Sequence, residues 1–171
     1  MRGLSLLFPG VWVHELAHAA GCMVSGVPIH KMEVHAKSGV VVHCSPSGSG
    51  AVLISLAPLL VGTLLAWALF TWSKSDFSSA PILGLFWGWL GFSVAFHSIP
   101  SAPDLANIPI AAARRMGELC RGSQGLGVKL VKTPLYGGLW VMGLGLSVLG
   151  IILNATLLVR AAWGLGVWFL A

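Results

Sequence analysis

The chain is poor in charged residues. Only 9% of its 171 residues are Asp, Glu, Lys or Arg, against about 25% in an ordinary soluble domain, which excludes a soluble globular protein. The ten basic residues are not interleaved with stacking aromatics, so no nucleic-acid-binding surface is indicated. Three cysteines, an odd number without framework spacing, exclude a disulfide scaffold.

Apolar residues make up 56% of the sequence, and its mean hydropathy is +0.87. A multi-pass protein in a lipid bilayer is therefore expected, short enough to form one bundle. We predict an all-α fold of about four transmembrane helices, with a small β-hairpin after the first helix. The expected segments of this single core, residues 1–171, are spans at about 4–23, 51–72, 81–99 and 135–159, a hairpin at 29–44 and an interfacial segment at 101–134.

The C-terminal apolar run, Leu135 to Ala171, is too long for one upright span and too short for two. We expect one span, Leu135 to Val159, with Arg160 snorkelling to the headgroups. Trp163 and Trp168 would then lie in the membrane interface.

The chemistry is concentrated in V-W-V-H-E-L-A-H-A-A at 11–20, an H-E-x-x-H motif inside the first apolar run. On a helix, His14 and His18 project from one face, one turn apart, and can bind one Zn²⁺. Glu15 lies on the adjoining face, where it can accept a proton from a bound water. The alternative is that the histidines only pack, but ionisable side chains at membrane depth are costly and tend to be functional. Cys22 shares the helical face of His18 and is interpreted as a small apolar residue rather than a ligand.

The N-terminus also resembles a secretory signal, with Arg2, an apolar stretch and the A-x-A-like Ala17 to Ala19. Glu15 and two histidines are unusual in such a stretch, and the apolar run continues to Met23. We therefore expect a retained helix.

After the first helix, the residues from Ile29 to His35 alternate with period two, and Gly39 to Cys44 is rich in β-branched residues. This pattern predicts a β-hairpin. Its second strand, through Val40, Val41 and Val42, can offer an edge to an extended peptide substrate. A purely structural hairpin is the alternative.

The basic residues are distributed unequally between the two sides of a four-span bundle. The hairpin side holds Lys31, Lys37, Arg114, Arg115, Arg121, Lys129 and Lys132, whereas the opposite side holds Arg2, Lys74 and Arg160. The positive-inside rule then places the hairpin side in the cytoplasm, with the active site nearer to it. A prokaryotic plasma membrane is the expected location.

A catalytic zinc usually has three protein ligands. Asp104 lies at the depth of His14 and His18, because it follows the end of the third span on the same side. Its position also suits a helix N-cap, which is the alternative role. Glu33 is expected on a solvated strand and Glu118 on a surface helix.

Three segments resemble the site-2 protease family of intramembrane zinc metalloproteases. They are F-P-G-V-W-V-H-E-L-A-H-A-A-G at 8–21, S-L-A-P-L-L at 55–60 and H-S-I-P-S-A-P-D-L at 97–105. The family pattern at the third is N-x-x-P-x-x-x-x-D-G, whose Asp binds zinc. Here His97 replaces the Asn, the spacing to Asp104 is one residue shorter, and Leu105 replaces the Gly. The resemblance also implies a membrane-associated hairpin after the H-E-x-x-H helix. We expect the chain to consist of the protease core of this family without an additional regulatory domain.

The expected activity is that of a zinc metalloendopeptidase acting on transmembrane or membrane-associated proteins. His14, His18 and Asp104 would hold Zn²⁺, and Glu15 would be the general base on a zinc-bound water. His97 could stabilise the oxyanion or simply form a hydrogen bond within the bundle.

Two other classes of protein compete with this interpretation. One is an inactive zinc-bearing membrane protein that binds or regulates a partner, although an intact Glu15 argues against it. The other is a metal transporter with an entry site at His30, His35 and His43, although transport would need such residues across the whole bilayer depth. Within the enzyme class, a membrane protease with a Glu ligand on a downstream helix would need Glu118, which lacks a convincing helix position for that role.

Overall fold

A computed structural model describes residues 6–35, 38–46, 48–154 and 157–171, with side chains at 153 and 154 excepted. Its elements are α1 (Phe8–Val24), β1 (Ile29–Val34), β2 (Gly39–His43), α2 (Gly48–Asp76), α3 (Pro81–Ser98), α4 (Ala102–Arg121), α5 (Leu126–Asn154) and α6 (Leu157–Leu170). The predicted fold class is confirmed: the chain is mainly helical, and a two-stranded antiparallel hairpin follows α1. Arg2, Lys37 and the first two residues of the expected first span lie outside the described residues.

Three apolar stretches of the described chain are long enough to cross a membrane. They are Gly48–Asp76, Pro81–Arg121 and Leu126–Ile152. A shorter apolar helix, Leu157–Leu170, follows them in the chain. The second stretch is divided at residues 99–101 into α3 and α4. Apolar residues from α2, α3 and α6 form the main core: Ala66, Leu69, Phe70, Val94, Ala95 and Val167.

Helix α1 begins with Pro9 in its first turn, where a missing N–H costs nothing. Gly10 follows, and a Cβ there would lie 2.0 Å from the carbonyl oxygen of Ser93 on α3. The N–H of Gly10 donates to the Ser93 hydroxyl at 2.9 Å. This close approach fixes α1 against α3 and sets the depth of the H-E-x-x-H motif.

The hairpin pairs Glu33 with Val40 and Met32 with Val41, with an irregular register between Ile29 and Lys31. Strand β2 alternates between half-buried and exposed residues, so that one of its faces lies against the helices. The predicted hairpin therefore lies beside α1.

The end of α3 and the start of α4 are defined by local sequence. Pro100 disfavours helical backbone at the preceding residue, so α3 ends at Ser98. Ser101 then caps α4 in a capping box with Asp104, and an apolar face containing Leu105 and Ile108 is buried.

The C-terminal region differs from the single span expected at 135–159. It forms two helices, and Trp163 and Trp168 pack into the bundle rather than lying only at an interface. Trp163 Nε1 donates to the Ser98 hydroxyl at 3.1 Å, and the Trp168 ring contacts that of Phe70 with centroids 5.1 Å apart.

Arg160 also lies within the bundle instead of only snorkelling. Its guanidinium donates to the carbonyl oxygen of Phe96 at 3.2 Å. In a regular helix that oxygen would accept from residue 100, which is a proline without an N–H. The arginine therefore satisfies an acceptor that the end of α3 leaves open, which hydropathy alone could not indicate.

Candidate metal centre and its cavity

His14 and His18 project from one face of α1, as the helical period predicts. Their Nε2 atoms are 3.1 Å apart, and their ring centroids are 4.7 Å apart. His18 is 6% exposed, and His14 is half-buried. The helix therefore directs two imidazole nitrogens to one point between the elements of the bundle.

Asp104 brings a carboxylate to the same point from the first turn of α4. Its Oδ1 lies 3.4 Å from His18 Nε2, and its Oδ2 lies 3.5 Å from His14 Nε2. The backbone N–H of Ser101 donates to Oδ2 at 2.7 Å, and the Ser101 hydroxyl donates to the same oxygen. The N-cap of α4 is therefore Ser101 and not Asp104, which is the third residue of the helix and belongs to both the capping box and the histidine cluster.

The protonation sites of both imidazoles follow from their other contacts. His14 Nδ1 lies 2.6 Å from the carbonyl oxygen of His97, and His18 Nδ1 lies 2.8 Å from that of Ile54. A carbonyl oxygen only accepts hydrogen bonds, so each Nδ1 carries the hydrogen. In a neutral ring, Nε2 then holds a lone pair, which is the form that binds a metal ion.

The donor set fits a divalent metal such as zinc. With both rings neutral, two imidazole lone pairs and a carboxylate converge, and a cation bound between them would stabilise the arrangement. Tetrahedral ligands at zinc-like bond lengths would be about 3.4 Å apart, and the observed separations run from 3.1 to 3.5 Å. Among the described residues, His14, His18 and Asp104 are the one such group of three, and Cys22 does not belong to it.

Glu15 lines the same cavity as this cluster and is only 6% exposed. The cavity has a volume of about 430 Å³ and is bounded by α1, α2, the start of α4 and the hairpin. Its other lining residues are Ser38, Gly39, Val40, Val41, His43, Ile54, Ser55, Ser101, Pro103 and Asn107. A candidate base, a candidate metal site and a strand therefore share one space.

The structure brings the backbone of His97 to the site, but not its ring. The His97 carbonyl accepts from His14, whereas its own Nδ1 lies 3.0 Å from the carbonyl oxygen of Ser93. Its ring packs beside Phe96, with centroids 5.2 Å apart, and is not among the residues lining the cavity. Val40 and Val41 are among the lining residues of the cavity, and Val42 is not. Val41 lies on the half-buried face of β2, whereas Val40 and Val42 share the exposed face.

Three polar lining residues, Asn107, His43 and Ser55, were not assigned to this site from the sequence; His43 was considered only as part of a transporter's entry site. Asn107 follows Asp104 by three residues on α4 and so shares its face, a spacing that could have revealed it. His43 alternates with Val41 along β2. Ser55 depends on tertiary packing: its hydroxyl donates to the Asp104 carbonyl at 2.6 Å and ties α2 to α4.

Comparison with known proteins identifies a family. Residues 7–105 match the Peptidase M50B-like family, a region that runs from the start of α1 to the first turn of α4. It contains His14, Glu15, His18 and Asp104. No curated protein and no solved structure matches the chain.

Proposed function

Since the chain belongs to the Peptidase M50B-like family, we propose that it is an intramembrane zinc metalloprotease that hydrolyses peptide bonds of transmembrane or membrane-associated proteins. The observation that carries the proposal is the convergence of His14, His18 and Asp104 beside Glu15 in one cavity. The cavity opens among helices long and apolar enough to cross a bilayer, so a substrate is met at membrane depth.

The residues of this site have two roles, metal binding and proton transfer. His14, His18 and Asp104 would hold Zn²⁺, which when bound polarises the scissile carbonyl and lowers the pKa of the attacking water. Glu15 accepts the proton of that water and passes it to the leaving amine. Because Glu15 is only 6% exposed, bulk water has little access to its carboxylate.

Strand β2 would hold the substrate in an extended form. A peptide bond within a helix is shielded by its neighbours, so a transmembrane substrate must unwind before water can attack it. Within the described residues the sheet has two strands, which leaves the second edge of β2 available for a peptide. Val40 and Val41 on this strand line the cavity that contains Glu15, and Val42 extends the same edge.

Asn107 is the best-placed side chain to stabilise the oxyanion. It lines the cavity beside Asp104, and its amide can donate to a carbonyl oxygen that becomes negative. The ring of His97, the other candidate for this role, packs on Phe96 outside the cavity lining. Its contribution to catalysis would instead be the carbonyl that holds His14.

The active site would face the cytoplasm. Ile54, which contacts His18, lies about two turns into the 29-residue helix α2, and therefore nearer the hairpin end than the Asp76 end. The hairpin side carries most of the basic residues, which the positive-inside rule assigns to the cytoplasm. A multi-pass protein of a prokaryotic plasma membrane is the corresponding location.

The first test is the zinc content of the detergent-purified protein, measured by elemental mass spectrometry. We expect about one zinc per chain in the wild type and loss of zinc in His14→Ala, because a ligand is removed. His43→Ala is the matched control: it removes another histidine from the cavity lining but none from the cluster, and should keep its zinc.

The same preparations would be reconstituted in liposomes with a fluorogenic reporter, a single apolar helix of about 20 residues with a central Gly-Ser break. Cleavage by the wild type and not by His14→Ala supports the proposal. A folded wild type that takes up no zinc after resupply contradicts it.

A further inference from the structure

The two histidines of the cluster are held by main-chain carbonyls on two other helices. His18 Nδ1 donates to Ile54 on α2 at 2.8 Å, and His14 Nδ1 donates to His97 on α3 at 2.6 Å. Carbonyls inside helices normally accept from the N–H four residues later. It must therefore be explained why the carbonyl oxygens of Ile54 and His97 are free to accept from a histidine side chain.

At Ile54 the explanation is Pro58. The N–H that would bond the Ile54 oxygen belongs to residue 58, and proline has none. Pro58 lies inside α2, and its side chain is fully buried. The proline therefore leaves one carbonyl in the helix interior without its usual donor, and that carbonyl is the one that faces His18.

The carbonyl oxygen of His97 also lacks its usual helical donor, because α3 ends at Ser98. The next possible donors are Pro100, which has no N–H, and Ser101, whose N–H donates to Asp104 Oδ2 at 2.7 Å. The two carbonyls that contact the histidines of the cluster, those of Ile54 and His97, are far apart in sequence, and each lacks the N–H that would normally donate to it. The repetition indicates that the arrangement serves the histidines.

We infer that Pro58 is a positioning residue for the metal centre: by removing the helical donor to Ile54, it reserves that carbonyl for His18 Nδ1. The inference rests on the proposed function, because it assigns His18 to a metal. The consequence is chemical. His18 is kept in the tautomer with hydrogen on Nδ1, and Nε2 points with its lone pair towards His14 and Asp104.

The test restores the missing N–H. Pro58→Ala and the bulkier Pro58→Val each supply a donor to Ile54, which then competes with His18. Zinc affinity, measured by competition with a chromophoric chelator, should weaken by about 10–100-fold, the range typical when a group that orients a ligating histidine is changed. Pro134→Ala, which removes the proline inside α5, is the matched control and should bind zinc as the wild type does.

Two further readouts separate positioning from packing. The visible spectrum of the Co²⁺-substituted protein should change in the Pro58 variants, because the ligand field depends on the orientation of His18. Melting of the metal-free variants, followed by circular dichroism, shows whether the fold is intact. Folded variants with wild-type zinc affinity and an unchanged Co²⁺ spectrum would overturn the inference.

The wild type provides a test that needs no variant. Nitrogen NMR of the metal-free, histidine-labelled protein, at a pH where the rings are neutral, should place the His18 hydrogen on Nδ1. A hydrogen on Nε2 would overturn the inference even if both Pro58 variants failed to fold. Wild-type protein without zinc affinity would instead contradict the proposed function, so the two failures are distinguishable.

Discussion

Gly39, the first residue of strand β2, lies directly against the side chain of Glu15. A Cβ at position 39 would be 2.3 Å from Glu15 Cγ and 2.7 Å from its Oε1. No side chain larger than hydrogen fits at that separation without movement. The strand proposed to hold substrate and the proposed base are therefore in contact, and the glycine is what permits it.

Gly39→Ala should reduce cleavage while leaving zinc bound. The added methyl group must displace either β2 or the Glu15 carboxylate, and a misplacement of about 1 Å can lower a rate by about 100-fold. The measurement is the initial rate on the liposome reporter, together with zinc content. Gly138→Ala is the control, because a Cβ there meets no atom within 4 Å. A Gly39→Ala protein as active as this control would show that the contact has no role in catalysis.

Glu15→Gln should abolish cleavage and keep zinc. The amide is nearly the same size as the carboxylate but cannot accept the proton, and general-base groups typically contribute about 100-fold to 10,000-fold. Glu33→Gln is the control, because Glu33 is exposed on the hairpin in an ion pair with Lys31. His18→Ala should lose both zinc and cleavage. Reporter cleavage by Glu15→Gln at the wild-type rate would remove Glu15 from the role of base.

Asn107→Ala should lower kcat on the reporter by about 100-fold or more, as expected when one oxyanion donor is lost. The zinc content should not change, because Asn107 is not in the ligand cluster. His97→Ala provides the comparison: its carbonyl, which holds His14, remains, so any loss should be smaller. A larger loss in His97→Ala than in Asn107→Ala would reverse the two assignments.

Local periodicity was enough to predict the elements that carry most of the chemistry. The spacing of His14, Glu15 and His18 fixes their faces on any helix, and alternation from Ile29 to His35 fixes a strand. Both predictions rest on the periodicity of the backbone, which can be read along the chain without knowledge of tertiary contacts. The family resemblance, found on three short segments, is confirmed by the match over residues 7–105.

Tertiary packing decided the structure of the C-terminal run and the orientation of the His97 ring. The first was predicted differently from the sequence, and the second was left open. The C-terminal run was expected to form one span, but its tryptophans and Arg160 have partners on α2 and α3. Hydropathy measures only the preference for lipid and contains no information about such partners. The His97 ring turns away from the cavity for a related reason, since Ser93 offers it an acceptor one turn earlier.

The sequence by itself determined that this is a membrane protein with an H-E-x-x-H helix followed by a hairpin, because composition and residue spacing act locally. Only the tertiary structure decided that Asp104 meets His14 and His18, that Gly39 contacts Glu15, and that Ile54 and His97 offer carbonyls to the histidines. These contacts join residues far apart in the chain. They depend on how the helices pack and on where prolines and helix ends leave backbone groups without partners.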